Sequence, residues 1–413
     1  MYHKTTLPSG LRLITEEIPT VSSVAVGLWV NVGSKWEAVS EAGISHLIEH
    51  LLFKGTHRRT AREIAELLDS VGGQLNAFTS KEHTCYYARV LAQHFELAID
   101  VLVDMFLNAK MLDEDVEREK RVVQEEINMY EDSPDELIHD LLSQAVWTNH
   151  SLGRPVLGTR ESVANLTLDQ IHSFWRRFYT PNNLVIAVAG NIEHQRVVTV
   201  CDKLFSTITP SRFSSLDIEP PQFQPGLKLY PRDLEQVHLC LGAPGVPNTD
   251  ENTYVVDVAN SILGGGLSSR LFQHIREDQG LAYSIYSYHT AYKDSGLFTV
   301  YAGLSKDNYN QGLDLARQEL EIMMNEPVPN KELDRAKQQV LGGFFLGLEN
   351  TTNRMIRLAR HELILNRWVS PEEVQEKIMS VTSSNIQSLC SRLFGQADLA
   401  TVLLGPVEEE TAC

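Results

Sequence analysis

The sequence predicts an α+β protein of two homologous domains, each a largely antiparallel sheet covered by helices on one face. Three observations carry this reading. At 413 residues the chain is longer than one hydrophobic core comfortably supports. The order of strand-like and helix-like segments in its first half returns in its second, at a near-constant offset of 213 residues. Between the halves, 214–226 (SSLDIEPPQFQPG) carries three prolines and no periodicity, the signature of a linker. The domains are therefore placed at 1–213 and 227–413.

Taken in order, 24–33 (VAVGLWVNVG) reads as a strand, followed by a loop and an apolar helical run from Ile44. Residues 84–91 form a strand that leads into a helix near Phe95, and an acidic helix follows over 113–131. The segment 184–193 (LVIAVAGNIE) closes the first half as a strand. In the second half, 237–246 (VHLCLGAPGV) matches the first strand, and again precedes a helical run. Strand 297–304 leads into a helix near Asn308, with Leu304 standing 213 positions after Leu91. The closing strand, 399–408 (LATVLLGPVE), stands 215 after its partner, the drift that loop insertions leave in a duplicated domain. Hairpin-like strands beside long amphipathic helices favour antiparallel pairing.

Composition narrows the function classes. Thirty-six basic against 54 acidic residues give a net charge of −18, which argues against nucleic acid as a partner. No apolar run reaches the roughly 20 residues that span a bilayer, and the first residues lack the apolar core of a secretory leader. Five cysteines (85, 201, 240, 390 and 413) are widely spaced without a CxxC, which suits a reducing compartment. A cytoplasmic protein with no membrane association is the expectation.

The sharpest chemical signal is His46-Leu47-Ile48-Glu49-His50. At 100° per residue, His46 and His50 lie about 40° apart, one turn along the same helix face. Two imidazoles so placed can share one Zn²⁺, and Glu49 projects close enough to take a proton from water beside it. The pattern is HxxEH, the inverse of HExxH. A zinc enzyme needs a third protein ligand. Glu119 and Glu126 on the acidic helix are seven residues apart and within about 20° of one another, whereas Glu125 lies about 100° round. One of the pair can ligate while the other orients a ligand or water.

These residues, HLIEHLLFKGT at 46–56 with glutamates at 119 and 126, resemble the pitrilysin-type (M16) zinc peptidases. That family includes mitochondrial processing peptidase, insulin-degrading enzyme and short bacterial processing proteases, and the resemblance covers both halves. It implies one Zn²⁺ per chain held by His46, His50 and Glu126, with Glu49 as general base and Glu119 as the supporting carboxylate. In RLFQHIREDQGLAYS, Arg276 and Tyr283 look like the family's pair that lies against the substrate backbone and the reacting carbonyl. Residues 72–80 (GGQLNAFTS) look like the strand whose edge relatives use for substrate, which points to Asn76, Ala77 and Phe78. An exposed edge offers unpaired N–H and C=O groups to an extended peptide.

Carrying the repeat forward, His46, Glu49 and His50 fall on Ala259, Ile262 and Leu263, and Glu126 falls on Gly343 at an offset of 217. This asymmetry implies a zinc-binding catalytic domain over 1–213 and a homologous domain without metal over 227–413. The triple glycine 264–266 lacks the Gly-Lys-Ser/Thr of a phosphate loop and reads as a turn. Relatives enclose substrate between four such domains, so the resemblance implies a homodimer whose chamber admits peptides and unfolded segments. The expected activity is zinc-dependent endopeptidase; the alternative is a non-catalytic peptide-binding or structural subunit.

Overall fold

A computed structural model describes residues 1–206, 218–395 and 398–408. The boundary expected at 213, the first part of the expected linker and Cys413 lie outside the described residues.

The strands form two sheets. β1 (Tyr2–Thr6), β2 (Arg12–Glu17), β3 (Ser23–Val30), β4 (Gln74–Thr79), β5 (Thr84–Leu91) and β6 (Leu184–Gly190) build the first, in the order β1-β2-β6-β3-β5-β4. β7 (Gly226–Pro231), β8 (Gln236–Pro244), β9 (Ala282–Ala291), β10 (Gly296–Ser305) and β11 (Ala400–Gly405) build the second, in the order β7-β11-β8-β10-β9. Remove β1 and the two orders coincide. The pairing directions coincide too: β2 with β6 and β7 with β11 are parallel, and every other pair is antiparallel.

The repeat reaches individual residues. Gly190 and Gly405, 215 positions apart, end β6 and β11 with φ of 141° and 144°. A Cβ on either would strike the carbonyl oxygen of Ser23 or Gln236, which are themselves 213 apart. Only glycine meets both demands, and both copies keep it.

Five helices matter below: α1 (Ile44–Leu52), α2 (Ala61–Asp69), α3 (Phe95–Asn108), α4 (Asp113–Glu131) and α5 (Pro134–Val146). On one face of the first sheet, Val24, Val26, Leu28 and Val30 pack with Leu47, Ile48 and Leu51 of α1 and with Ile99 and Leu102 of α3. The alternate residues Ala25 and Trp29 face the other way. They pack with Met355, Leu358 and Ala359 of the helix Thr351–Arg360. A strand covered on both sides needs apolar residues at every position, which is why VAVGLWV shows no alternation.

The described residues divide into two compact units: 1–128, 154–218 and 346–368 in one, and 129–153, 219–345 and 369 onward in the other. The helix Thr351–Arg360, from the second half of the chain, therefore belongs to the first sheet. There the Trp29 indole N–H points at the Met355 sulfur at 3.2 Å, and Met355 occupies the space a side chain on Gly27 would take. Glu362, buried just beyond, receives Lys4 at 2.7 Å and Arg12 at 3.1 Å. Reciprocally, α5 of the first half packs on the second sheet. Ile138, Leu142 and Val146 meet Cys240, Tyr301 and Val402, with Leu142 against Gly242. The two helices occupy matching places in the repeat, and each covers the other half's sheet.

Candidate metal centre

The placement of α1 begins with a buried acid. Glu37 accepts the backbone N–H of Gly43 at 2.8 Å and of Ser45 at 2.9 Å, so its carboxyl satisfies otherwise orphaned donors at the helix start. Burial, opposed by these two N–H groups, pushes the Glu37 carboxyl up to about 7. Gly43 enters the helix at φ 91°, where a Cβ would also meet the Leu157 carbonyl. Ile44, Leu47, Ile48, Leu51 and Leu52 are fully buried and set the rotation of α1 about its axis. His46, Glu49 and His50 are consequently left on the opposite face.

α4 supplies the facing wall. Val116, Val123 and Ile127 are buried, with Glu119 on the same stripe and Glu126 two turns further at its margin. The Glu126 carboxylate lies 3.8 Å from His46 Nε2 and 3.6 Å from His50 Nε2. Glu119 takes a different task. One of its oxygens stands 3.2 Å from His50 Nδ1, and the other receives Lys54 Nζ at 2.8 Å. A proton held on Nδ1 by that carboxylate leaves the His50 Nε2 lone pair facing Glu126.

The two imidazoles, with centroids 4.7 Å apart and planes at 67°, and Glu126 bring three ligand-type atoms within 4.8 Å of one another. A tetrahedral ion with bonds of about 2.1 Å spaces its donors by about 3.4 Å, so the set fits a zinc ion. It is the single such group of histidine, cysteine or acidic residues among the described residues. Burial, then the neighbouring His50, holds the His46 imidazole down to about 4, so at neutral pH it is an uncharged lone-pair donor. Glu49 is pushed above the usual carboxylate range by burial, against the opposing pull of Thr79 and His50. Its Oε2 accepts the Thr79 hydroxyl at 2.5 Å.

The low His46 pKa has a consequence for stability without metal. As pH falls from 6.5 to about 4, the unfolded chain binds a proton at this position before the folded one does. Stability from this group is present above 6.5 and lost on acidification. In metal-free protein the wild type should lose about 3 kcal/mol relative to His46→Ala across that window. Urea unfolding at several pH values measures it, and parallel profiles would refute it. Glu37 carries the opposite sign, its contribution being lost as pH rises through about 7.

The residues expected at the substrate edge lie on β4, which pairs only with β5 in the described sheet. Asn76 is exposed, and its side-chain oxygen accepts the Ala77 N–H at 2.8 Å. Phe78 turns inward, edge-on to Trp29 at 5.4 Å. Beside the strand runs a groove of about 640 Å³, lined by Phe53, Ile64 and Leu68 with Gly73, Leu75 and Asn76.

Comparison with known proteins decides the family. Residues 12–160 match the family model described as insulinase (peptidase family M16), and residues 165–340 match that of the peptidase M16 inactive domain. An uncharacterized zinc protease of Bacillus subtilis is 42% identical over 98% of this chain and 98% of its own. One from Mycobacterium leprae is 42% identical, over 98% and 91% respectively. The chain belongs to peptidase family M16. Two solved structures share the fold: a protease from Helicobacter pylori (TM-score 0.91, 21% identity, 98% and 99% covered) and a peptidase M16 inactive domain from Pseudomonas fluorescens (0.92, 19%, both fully covered).

In this M16 chain Arg276 and Tyr283 belong to the second unit, and they adjoin each other. Arg276 sits in a π-helical turn, Phe272–Asp278, with its guanidinium 4.7 Å from the Phe272 ring and 5.5 Å from the Tyr283 ring. Tyr283 has no partner on β10, because the pairing steps from Gly303–Ser284 to Leu304–Ala282. This bulge extrudes the phenol, which is 78% exposed. The counterparts of the metal-centre residues differ in kind. Ala259, Ile262 and Leu263 are buried in the helix Thr253–Leu263, and Gly343 lies in the helix Asn330–Gly347. Polar groups beside them satisfy one another: Ser261 donates to Gln339 at 3.2 Å, and Gln339 to the Gly265 carbonyl at 3.0 Å. Sequence reasoning did not find Glu37, Lys54 or Thr79, since no spacing rule links a side chain to a helix it meets only in the folded chain.

Proposed function

We propose that this M16 protein is a zinc-dependent endopeptidase that cleaves peptides and unfolded polypeptide segments. His46, His50 and Glu126 hold one Zn²⁺ per chain. The observation that carries the reading is the division of labour on α4, where Glu126 meets both Nε2 atoms while Glu119 fixes the His50 tautomer. A pair of packing histidines needs neither.

When bound, zinc supplies Lewis acidity to a peptide carbonyl and acidifies water. Glu49, raised by burial and held by Thr79, takes the proton of the attacking water and returns it to the leaving nitrogen. The water oxygen becomes part of the new carboxyl group as the C–N bond breaks. Asn76, Ala77 and Phe78 hold the substrate as an added strand on β4, which leaves the scissile bond aligned along the sheet edge. Arg276 and Tyr283 donate to the reacting carbonyl and the substrate backbone; the outward presentation of Tyr283 suits a contribution from the partner in a twofold homodimer. The four described cysteines are buried free thiols, which suits work in the cytoplasm, and no described helix is long and apolar enough to cross a membrane.

The test is metal analysis joined to cleavage of a fluorogenic peptide and a proteome-derived peptide library. One zinc per chain, loss of cleavage on chelation and recovery on zinc addition are expected. Stoichiometric zinc without cleavage of any peptide would favour a peptide-binding subunit instead.

A further inference from the structure

The edge strand and the general base are joined by one hydrogen bond. Thr79 ends β4, two residues beyond Ala77 on the same face of the strand, and its hydroxyl reaches Glu49 Oε2 at 2.5 Å. It is the only hydrogen-bond partner of the Glu49 carboxylate among the described residues. A carboxylate on a side chain with three rotatable bonds and one donor is aimed by that donor. Thr79 itself is held on both sides. Before it, β4 pairs with β5 through Thr79–Thr84. After it, the turn is pinned to the loop ahead of α1. The Ser80 carbonyl accepts Ser34 N–H at 3.2 Å, and the Lys81 carbonyl accepts Lys35 N–H at 2.8 Å. Gly33 allows this approach, because a Cβ there would collide with the Ser80 carbonyl. The same loop carries Glu37, which anchors the start of α1. The edge that receives a peptide and the helix that carries Glu49 thus share one support, and Thr79 bridges them at the reacting end.

We propose that Thr79 is a positioning residue that aims the Glu49 carboxylate and couples occupation of the β4 edge to proton transfer. This rests on the endopeptidase reading. A peptide paired along β4 stiffens the strand whose last side chain holds the base, so docking improves the aim of Glu49 without Thr79 touching the reacting atoms. The coupling belongs to kcat, because the lost bond affects the base after the peptide has docked.

The experiment compares Thr79→Val, which keeps the shape and removes the hydroxyl, with Thr79→Ser, which keeps the hydroxyl. Steady-state cleavage of one fluorogenic peptide is measured with zinc content and thermal midpoint. Thr79→Val should lower kcat about 10- to 30-fold with KM within about twofold and zinc unchanged. Thr79→Ser should return kcat to within about threefold of wild type. A kcat unchanged in Thr79→Val, a loss carried by KM, or a Thr79→Ser variant as slow as Thr79→Val would overturn the proposal. Crystal structures of metal-free wild type and Thr79→Val give a readout independent of turnover. Displacement of the Glu49 carboxylate in the variant is expected, and an unmoved carboxylate would overturn the assignment. If the wild type cleaves no peptide, the endopeptidase reading fails by itself, while these structures still judge the role of Thr79.

Discussion

Glu49→Gln should remove at least about 10³-fold of kcat while leaving one zinc per chain. The substitution keeps the volume of the side chain and an acceptor oxygen for the Thr79 hydroxyl, so α1 and β4 remain as they are. What it removes is a group that can accept a proton. Glu49 stands outside the trio of His46, His50 and Glu126, so the metal set is untouched. Its raised pKa makes the wild-type carboxylate a better base near neutrality than an exposed glutamate, and the amide has no such capacity. Glu126→Ala provides the contrast: it should lose activity together with zinc, because two imidazoles alone are left to bind. Metal analysis beside turnover separates the two. A Glu49→Gln protein within about tenfold of wild-type kcat would exclude Glu49 as the base.

Separate expression of 1–213 and 227–413 should yield two chains without cooperative folding, and mixing them during refolding should restore it. The reason is the exchange of helices. Without Thr351–Arg360, the first sheet exposes Ile14, Ala25, Trp29, Cys85, Val185, Ala187 and Ala189 on one face. Lys4 and Arg12 also lose Glu362. Burial of Met355, Leu358 and the sheet residues they cover is worth about 10 kcal/mol, comparable with the whole stability of a typical domain. The second sheet suffers equally without α5, whose Ile138, Leu142 and Val146 cover Cys240, Tyr301 and Val402. Near-ultraviolet circular dichroism and thermal melts of each half and of the refolded mixture check this. A sharp, full-chain-like transition from 1–213 alone would refute it.

The exchange also marks where sequence reading stops. The duplicated strand order was legible because the repeat offset survives in the residues themselves, down to Gly190 and Gly405. The HxxEH turn and the shared face of Glu119 and Glu126 were legible because helical geometry converts spacing directly into direction. Which glutamate faces both imidazoles was implied by the family resemblance but not by spacing, since two side chains about 20° apart on one helix are separated only by what they meet. Glu119 meets His50 Nδ1 and Lys54, and Glu126 meets the two Nε2 atoms.

By itself, then, the sequence determined what lies within one helix, one strand or one repeat: the α+β fold, its duplication, and which side chains share a face on α1 and on α4. Tertiary structure alone decided the pairing of Thr79 with Glu49, the seating of α1 on Glu37, the extruded Tyr283 and the sheet that each exchanged helix covers. These are contacts between segments far apart along the chain, and periodicity carries no information about a distant partner, because partners are chosen by shape and burial when the whole chain packs.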